Sequence, residues 1–386
     1  MRFHPAAWMR DEMQRRKALR RRLWAGEPLP RIPIDVRVDA PTRSSLREEF
    51  RDGARQLERA LRTVRATWEL GPENDAIPAM RPDVGCSCLA SAFGAEYFWG
   101  DSVDQTPGIR EKVIRDLERE IEGVAVPDPR TDGWLPEGLA RIRRFAEAGD
   151  GFVPVSLLDA AGGVNVAADL TGLEELLIGF HTMPDAVHAL LDKIQELFLE
   201  TIRMGIAAAG GQENITTTDF PDMWFPEGCK GHVSDDISAS FGPDIYAEFS
   251  APYHERVFRE YGPGGLHNCG PNPCHEAYVA GPLAPRSLDL SDTYSHDDLP
   301  VLKDSLKGKA FIYLLWDNIR GQSPDPVEWY RGVMELMAPD VIAVPTLILP
   351  EEDDPKEICR RLIPIAEEYA RRMDWGWDDG PGAVKT

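Results

Sequence analysis

Through residues 185–209 apolar side chains recur every third or fourth position, at Val187, Leu191, Ile194, Phe198 and Ile202, until Gly210 and Gly211 interrupt the run. That spacing stacks them on one face of a helix, and the glycines end it. Residues 244–261, 327–337 and 355–373 read the same way; the first follows Pro243 and stops at Gly262. Near the N-terminus, residues 11–24 (DEMQRRKALRRRLW) predict a basic helix whose apolar face is Met13, Leu19 and Leu23. It reads either as a solvated helix at a subunit contact or as a nucleic-acid arm. Ser45 and Glu48 match a capping box, so a helix is expected from there to about residue 70, before Gly71 and Pro72.

Other stretches carry the two-residue alternation or short apolar runs of strands. Residues 31–38 (RIPIDVRV) alternate, and residues 76–80, 152–158, 215–219, 265–268, 287–290, 310–316 and 341–348 are further candidates. Strand and helix follow one another repeatedly with no long linker, the pattern of a parallel sheet wrapped by helices. Seven or eight such units predict a single-domain (β/α)8 TIM barrel. An open doubly wound sheet is the rival, but no G-x-G-x-x-G turn follows an early strand. The expected organisation is an N-terminal helical and strand extension (1–70), the barrel (71–374) and a mobile Gly- and Asp-rich tail (375–386).

Composition narrows the functional classes. The chain has 386 residues, and its 43 basic against 65 acidic side chains give a net charge of −22, which disfavours nucleic-acid and anionic-membrane binding. No apolar stretch reaches the roughly 20 residues of a membrane span, and the Arg-rich N-terminus lacks a signal-peptide core. A cytoplasmic location is therefore expected, with the six cysteines as thiols or metal ligands.

If the strands form a barrel, the residues that end them converge on one mouth. These are Asp83, Asp159, Asp219 with Asp222, His267 with Cys269, Asp289 with Asp292, Asp317 with Asn318, and Glu351 with Glu352. Each acid alone is as readily a helix cap as a functional group. The sharpest local pattern is Gly265-Leu266-His267-Asn268-Cys269-Gly270. Residues two apart on a strand point the same way, so His267 and Cys269 present imidazole and thiolate to one point, donors that zinc prefers. The plainer alternative is a hydrogen-bonding His267 beside an inert core thiol. Trp224 reads as an apolar wall of the mouth or as core. Asn165, in a Gly-rich loop, could approach a substrate; His181, His188, His254 and His296 read as surface or helix residues.

The H-x-C-G segment resembles the zinc half-site of the methylcobamide-dependent methyltransferases in the uroporphyrinogen decarboxylase superfamily. Residues 24–34 (WAGEPLPRIPI) resemble the G-E-x-P-D-R-V-P opening of those chains, and residues 89–94 (LASAFG) an early barrel loop. Ser234-Asp235-Asp236-Ile237-Ser238, then Phe241 to Asp244 and Tyr253, resemble the block before the H-x-C-G strand. Leu288-Asp289-Leu290 and Lys307-Gly308-Lys309 resemble the segments that follow it. The resemblance spans roughly residues 24–370 and implies the barrel fold. In the methyltransferase branch it implies zinc held by His, Cys and a later Cys, which activates a thiol to attack the methyl group of a corrinoid on a partner protein. Here the last strand, residues 341–350, has no cysteine, and Cys359 lies beyond it. Glu351, Cys274, Cys86 or Cys88 are the candidate replacements, with Asp235 and Asp236 as further ligands or acid–base groups.

The decarboxylase branch fits less well. Pro5 to Arg10 (PAAWMR) match the first half of its propionate-binding segment, but Asp11, Glu12 and Met13 replace the rest, and Asp83 lies near its pyrrole-contacting Asp. Three readings follow: a methyltransferase-like enzyme using zinc at His267, Cys269 and Glu351 and a corrinoid protein partner; a metal-independent decarboxylase or lyase acting through Asp83 and His267; and a corrinoid- or tetrapyrrole-binding protein without turnover. In the first, Asp83, His267, Asp235 and Asp236 are the expected catalytic residues. Trp224, Asp219, Asp317 and Asn318 are the expected contacts to a small-molecule substrate.

Overall fold

The structure is a computed structural model that describes residues 2–317 and 325–376. Its centre is a six-stranded parallel sheet: β1 (Asp35–Asp39), β2 (His232–Ser234), β3 (Gly265–Asn268), β4 (Ser287–Ser291), β5 (Phe311–Trp316) and β6 (Ala343–Pro350). The spatial order is β1-β6-β5-β4-β3-β2, so the first strand lies beside the last, with Asp35 opposite Thr346. One register row aligns Ser234, His267, Asp289 and Tyr313 on neighbouring strands. In parallel strands such residues face the same side, and this row builds the candidate site.

Past β2 the expected strands at 76–80, 152–158 and 215–219 shrink to single bridges, Met80 to Val155 and Val155 to Ile215. Pro78 and Pro154 remove backbone donors there, which keeps those segments from forming full ladders. Side chains supply the missing links. The Thr218 hydroxyl accepts from His232 N at 2.8 Å, and the Asn74 side-chain amide bonds both Val36 N and Val36 O. β2 carries no apolar alternation, and at three residues it is too short for the sequence pattern to mark. The parallel sheet and its helices are consistent with a TIM-barrel-like fold.

The helices follow their apolar stripes. The helix expected at 185–209 is Pro184–Ala208, and its five expected core residues are all buried. The capping box forms at Ser45, but the helix expected to reach residue 70 splits into Leu46–Arg51 and Gly53–Glu69. Asp52 causes the break: it leaves the helical conformation and its carboxylate caps Ala54 N at 2.9 Å. The helix expected at 244–261 contains a π-turn, Tyr246–Ser250, ahead of Pro252, whose missing N–H cannot continue the α ladder.

The basic helix α1 (Ala7–Trp24) is not simply solvated. Arg16 and Arg20 are buried: Arg20 pairs with Asp35 at 2.6 Å, and Arg16 lies 4.4 Å over the Trp68 ring. These cations tie α1 to the start of the sheet. In the expected tail, Trp375 Nε1 donates to Ala370 O at 2.8 Å, and residues 377–386 lie outside the described residues, as does Asn318. Among the described residues no helix is long and apolar enough to cross a membrane.

Candidate functional site

The row that crosses β2, β3 and β4 sets His267 between two carboxylates. His267 Nδ1 lies 3.2 Å from Asp289 Oδ2, its opposite number on β4. Nε2, on the other edge of the ring, lies 3.3 Å from Cys269 Sγ and 3.5 Å from Asp236 Oδ1. Cys269 stands two residues on, just past the end of β3, where the chain turns at Gly270 (φ +111°). A side chain at Gly270 would run into Ser295 Oγ and Tyr294 O, so only glycine lets the turn close against that loop.

Asp236 comes from the end of β2. Its Oδ1 accepts Cys269 N–H at 2.9 Å, and its Oδ2 accepts from Ser234 Oγ at 3.1 Å and Asn165 Nδ2 at 3.3 Å. Asp236, His267 and Cys269 form a cluster whose N, S and O donor atoms all lie within 4.8 Å of one another. Tetrahedral zinc with bonds of about 2.0–2.3 Å separates its ligand atoms by about 3.3–3.8 Å, a range that includes the 3.3 and 3.5 Å seen here. The carboxylate behind His267 adds the outer hydrogen bond that orients metal-bound imidazoles. The residues therefore fit a zinc ion.

The electrostatics follow from this packing. Burial opposes a charge on His267, but hydrogen bonds to Asp236, Asp289 and Cys269 outweigh it and hold its pKa well above the usual histidine range. Burial would likewise raise Asp236, yet the His267 bond and charge bring its carboxyl well below the usual range. Burial pushes the Cys269 thiol up despite the neighbouring imidazole. Phe220 sets its ring edge-on to His267 at 4.9 Å, and Arg81 lies 4.9 Å over the Phe220 ring, closing one side.

The other expected residues take different places. Asp235 adjoins the cluster through its backbone N–H, which bonds His267 O at 2.9 Å. Its carboxylate turns away, accepting Ser238 N and lying 3.5 Å from His254 Nε2, and burial pushes it up to about 7. Asp219 is fully buried beside Asp159, and burial together with that charge raises it to about 7. Asp159 in turn pairs with Arg81 at 2.8 Å. Asp83 turns its carboxylate back on Gly85 N at 2.7 Å, the loop-ordering role an acid there also allows. Asp317 accepts from the hydroxyls of Ser291 and Thr293.

Trp224 is buried under Lys17, Arg21 and Lys230, on the α1 side. Glu351 opens an exposed 3-10 turn after β6. Cys274 points its thiol at Phe241 O, Cys88 at Asp159 O, and Cys359 is buried in the helix Pro355–Arg372. Among the described residues the third donor beside His267 and Cys269 is thus Asp236. A separate cleft of about 530 Å³, lined by Phe50, Tyr97, Trp99 and Trp134, includes none of the cluster.

The partners of the cluster, Asp289, Ser234, Asn165 and Phe220, were not singled out for these roles by local pattern. Asp289 and Ser234 are legible only through strand register. The two cations, Arg81 with Asp159 and Arg37 with Asp222, neutralise acids for which the sequence offered only a cap or a functional role.

No family model matches the chain, and no curated protein does. Among solved structures it is similar to a methyltransferase from Methanosarcina mazei, with a TM-score of 0.60 and 18% identity, over 91% of this chain and 96% of that one. At that identity the likeness establishes a shared fold over nearly the whole length of both chains.

Proposed function

We propose that this chain is a methyltransferase-like enzyme that moves a methyl group between a corrinoid, carried on a partner protein, and a small acceptor, with zinc at Asp236, His267 and Cys269. The observation that carries the reading is the convergence of those three donors, with Asp289 behind the imidazole. The shared fold with a methyltransferase supports it. Zinc held there supplies the Lewis acidity that lowers a bound thiol's pKa and keeps it as thiolate at neutral pH.

The chain's own groups do the rest. Asp289 keeps a proton on His267 Nδ1, so displacement of the proton from Nε2 by a metal would leave a lone pair facing Cys269 and Asp236. Phe220 and Arg81 wall the imidazole on one side. Asp236, His267 and Cys269 would hold zinc with three protein donors, the number found in catalytic rather than structural sites, and a substrate atom could complete the set. The lyase alternative loses support because the Asp83 carboxylate is engaged by its own loop.

The same proposal reads the sheet as a (β/α)8 barrel closed through the Asn74 and Thr218 side chains, to which residues 35–39 of the expected 1–70 extension contribute β1 while α1 packs against it, and takes a cytoplasmic setting for the six free cysteines. Metal analysis of the purified protein tests the function. About one zinc per chain is expected, lost in both His267→Ala and Cys269→Ala. Full metal in both variants would overturn the assignment.

A further inference from the structure

Asp236 differs from the other donors in how tightly both of its oxygens are specified. Oδ1 faces His267 Nε2 and takes the Cys269 N–H; Oδ2 is turned out and takes two donors, Ser234 Oγ and Asn165 Nδ2. Asn165 is itself fixed from the other end, since its Oδ1 accepts Ile237 N at 3.0 Å, the residue next to Asp236. One asparagine therefore clasps both the carboxylate and the backbone that carries it.

Its own position is set by close contact. Asn165 lies in the first turn of the helix Gly162–Thr171, which begins where Ala161 and Gly162 take positive φ. A Cβ on Gly162 would stand 2.1 Å from Ser234 O, so the helix start presses directly on the strand that bears Ser234. The clasp is built into the backbone and does not depend on a long, flexible side chain.

Resting on the metal reading above, we propose that Asn165 is a positioning residue that makes Asp236 a one-oxygen ligand. With Oδ2 held away by Asn165 and Ser234, only Oδ1 is presented to the metal, and the position a second carboxylate oxygen would take stays open for substrate. Where the resembling methyltransferases have a later cysteine, this chain thus has a carboxylate restrained to act as a single donor.

The test is the Asn165→Asp variant at pH 8. It keeps an oxygen for Ile237 N but replaces the donor to Asp236 with a repelling carboxylate. Asn165→Leu removes both bonds, and circular dichroism reports whether each variant folds. The expected result for Asn165→Asp is zinc affinity lowered about 10- to 100-fold in a chelator competition. In the cobalt(II)-loaded protein, the thiolate-to-cobalt band from Cys269 should persist while the strong ligand-field bands of four-coordinate cobalt weaken toward those of five. Wild-type zinc affinity and an unchanged cobalt spectrum in Asn165→Asp would overturn the proposal. A wild-type protein that takes up neither zinc nor cobalt would instead overturn the metal reading beneath it.

Discussion

Replacing Arg16 with methionine tests whether α1 is a structural part of the sheet's base. The fully buried guanidinium donates to Ala76 O, to Gly71 O at 2.8 Å and to Glu12 Oε1 at 3.0 Å, and it lies over Trp68. In Arg16→Met, Ala76 O loses this donor, and Gly71 O keeps Asn74 N at 3.4 Å. Each buried carbonyl left unsatisfied costs about 1–3 kcal/mol, and the lost cation–π contact about 1–2 more. The methionine recovers part of this through apolar burial and by sparing a desolvated charge. A net loss of about 2–4 kcal/mol is expected, a large share of a typical stability of roughly 5–15 kcal/mol. Urea unfolding followed by circular dichroism and tryptophan fluorescence measures it as a lower midpoint at constant slope. The control is Arg22→Met on the same helix: that side chain is 47% exposed in its pair with Glu27, and a surface pair is worth about 1 kcal/mol or less. If Arg16→Met falls within about 1 kcal/mol of wild type, the same scale as the control, the helix is not anchoring the sheet and the solvated-helix reading returns.

Two further outcomes follow from the site's surroundings. Asp289→Ala should weaken zinc binding about 10- to 100-fold by freeing the His267 ring, with Asp289→Asn in between; equal affinities in a chelator competition would remove Asp289 from the site. His232 is fully buried between Phe220 and Phe225, and burial lowers its pKa from 6.5 to about 3. The unfolded chain therefore binds a proton between those values that the folded chain excludes, and stability falls as pH drops through both values, by on the order of 5 kcal/mol in all. His232→Leu should flatten that limb in denaturation midpoints taken from pH 7 to 4; an unchanged slope would show that other groups carry it.

Much of the frame was legible in the chain. β3 matches its expected bounds, and the H-x-C spacing brought His267 and Cys269 together because side chains two apart on a strand must share a face. The third donor was harder to find. Asp236 was named only beside Asp235, through the resemblance, as a further ligand or acid–base group, and strand pairing, Ser234 opposite His267, shows that the end of β2 reaches Cys269. Glu351 was favoured as a ligand because it follows the last strand, yet the chain leaves β6 into an exposed turn there. Trp224 illustrates a different limit. Its apolar ring is equally suited to a mouth or a core, and the choice is made by Lys17 and Arg21, about two hundred residues away in the chain. Long-range partners of this kind leave no local periodicity to read.

The pairing of β1 with β6 bears on how the chain assembles during synthesis. Asp35 must wait for Thr346, so the contact that joins the two ends of the sheet order spans nearly the whole polypeptide and forms late. The candidate centre has no such wait, because its donors and their orienting groups lie between Asn165 and Asp289. A chain halted before residue 343 would hold every one of them. It would also carry β1 and β5 as open edges, the kind of unpaired strand that invites association with other chains. Truncations meant to isolate the centre are therefore expected to aggregate before they show whether it binds metal.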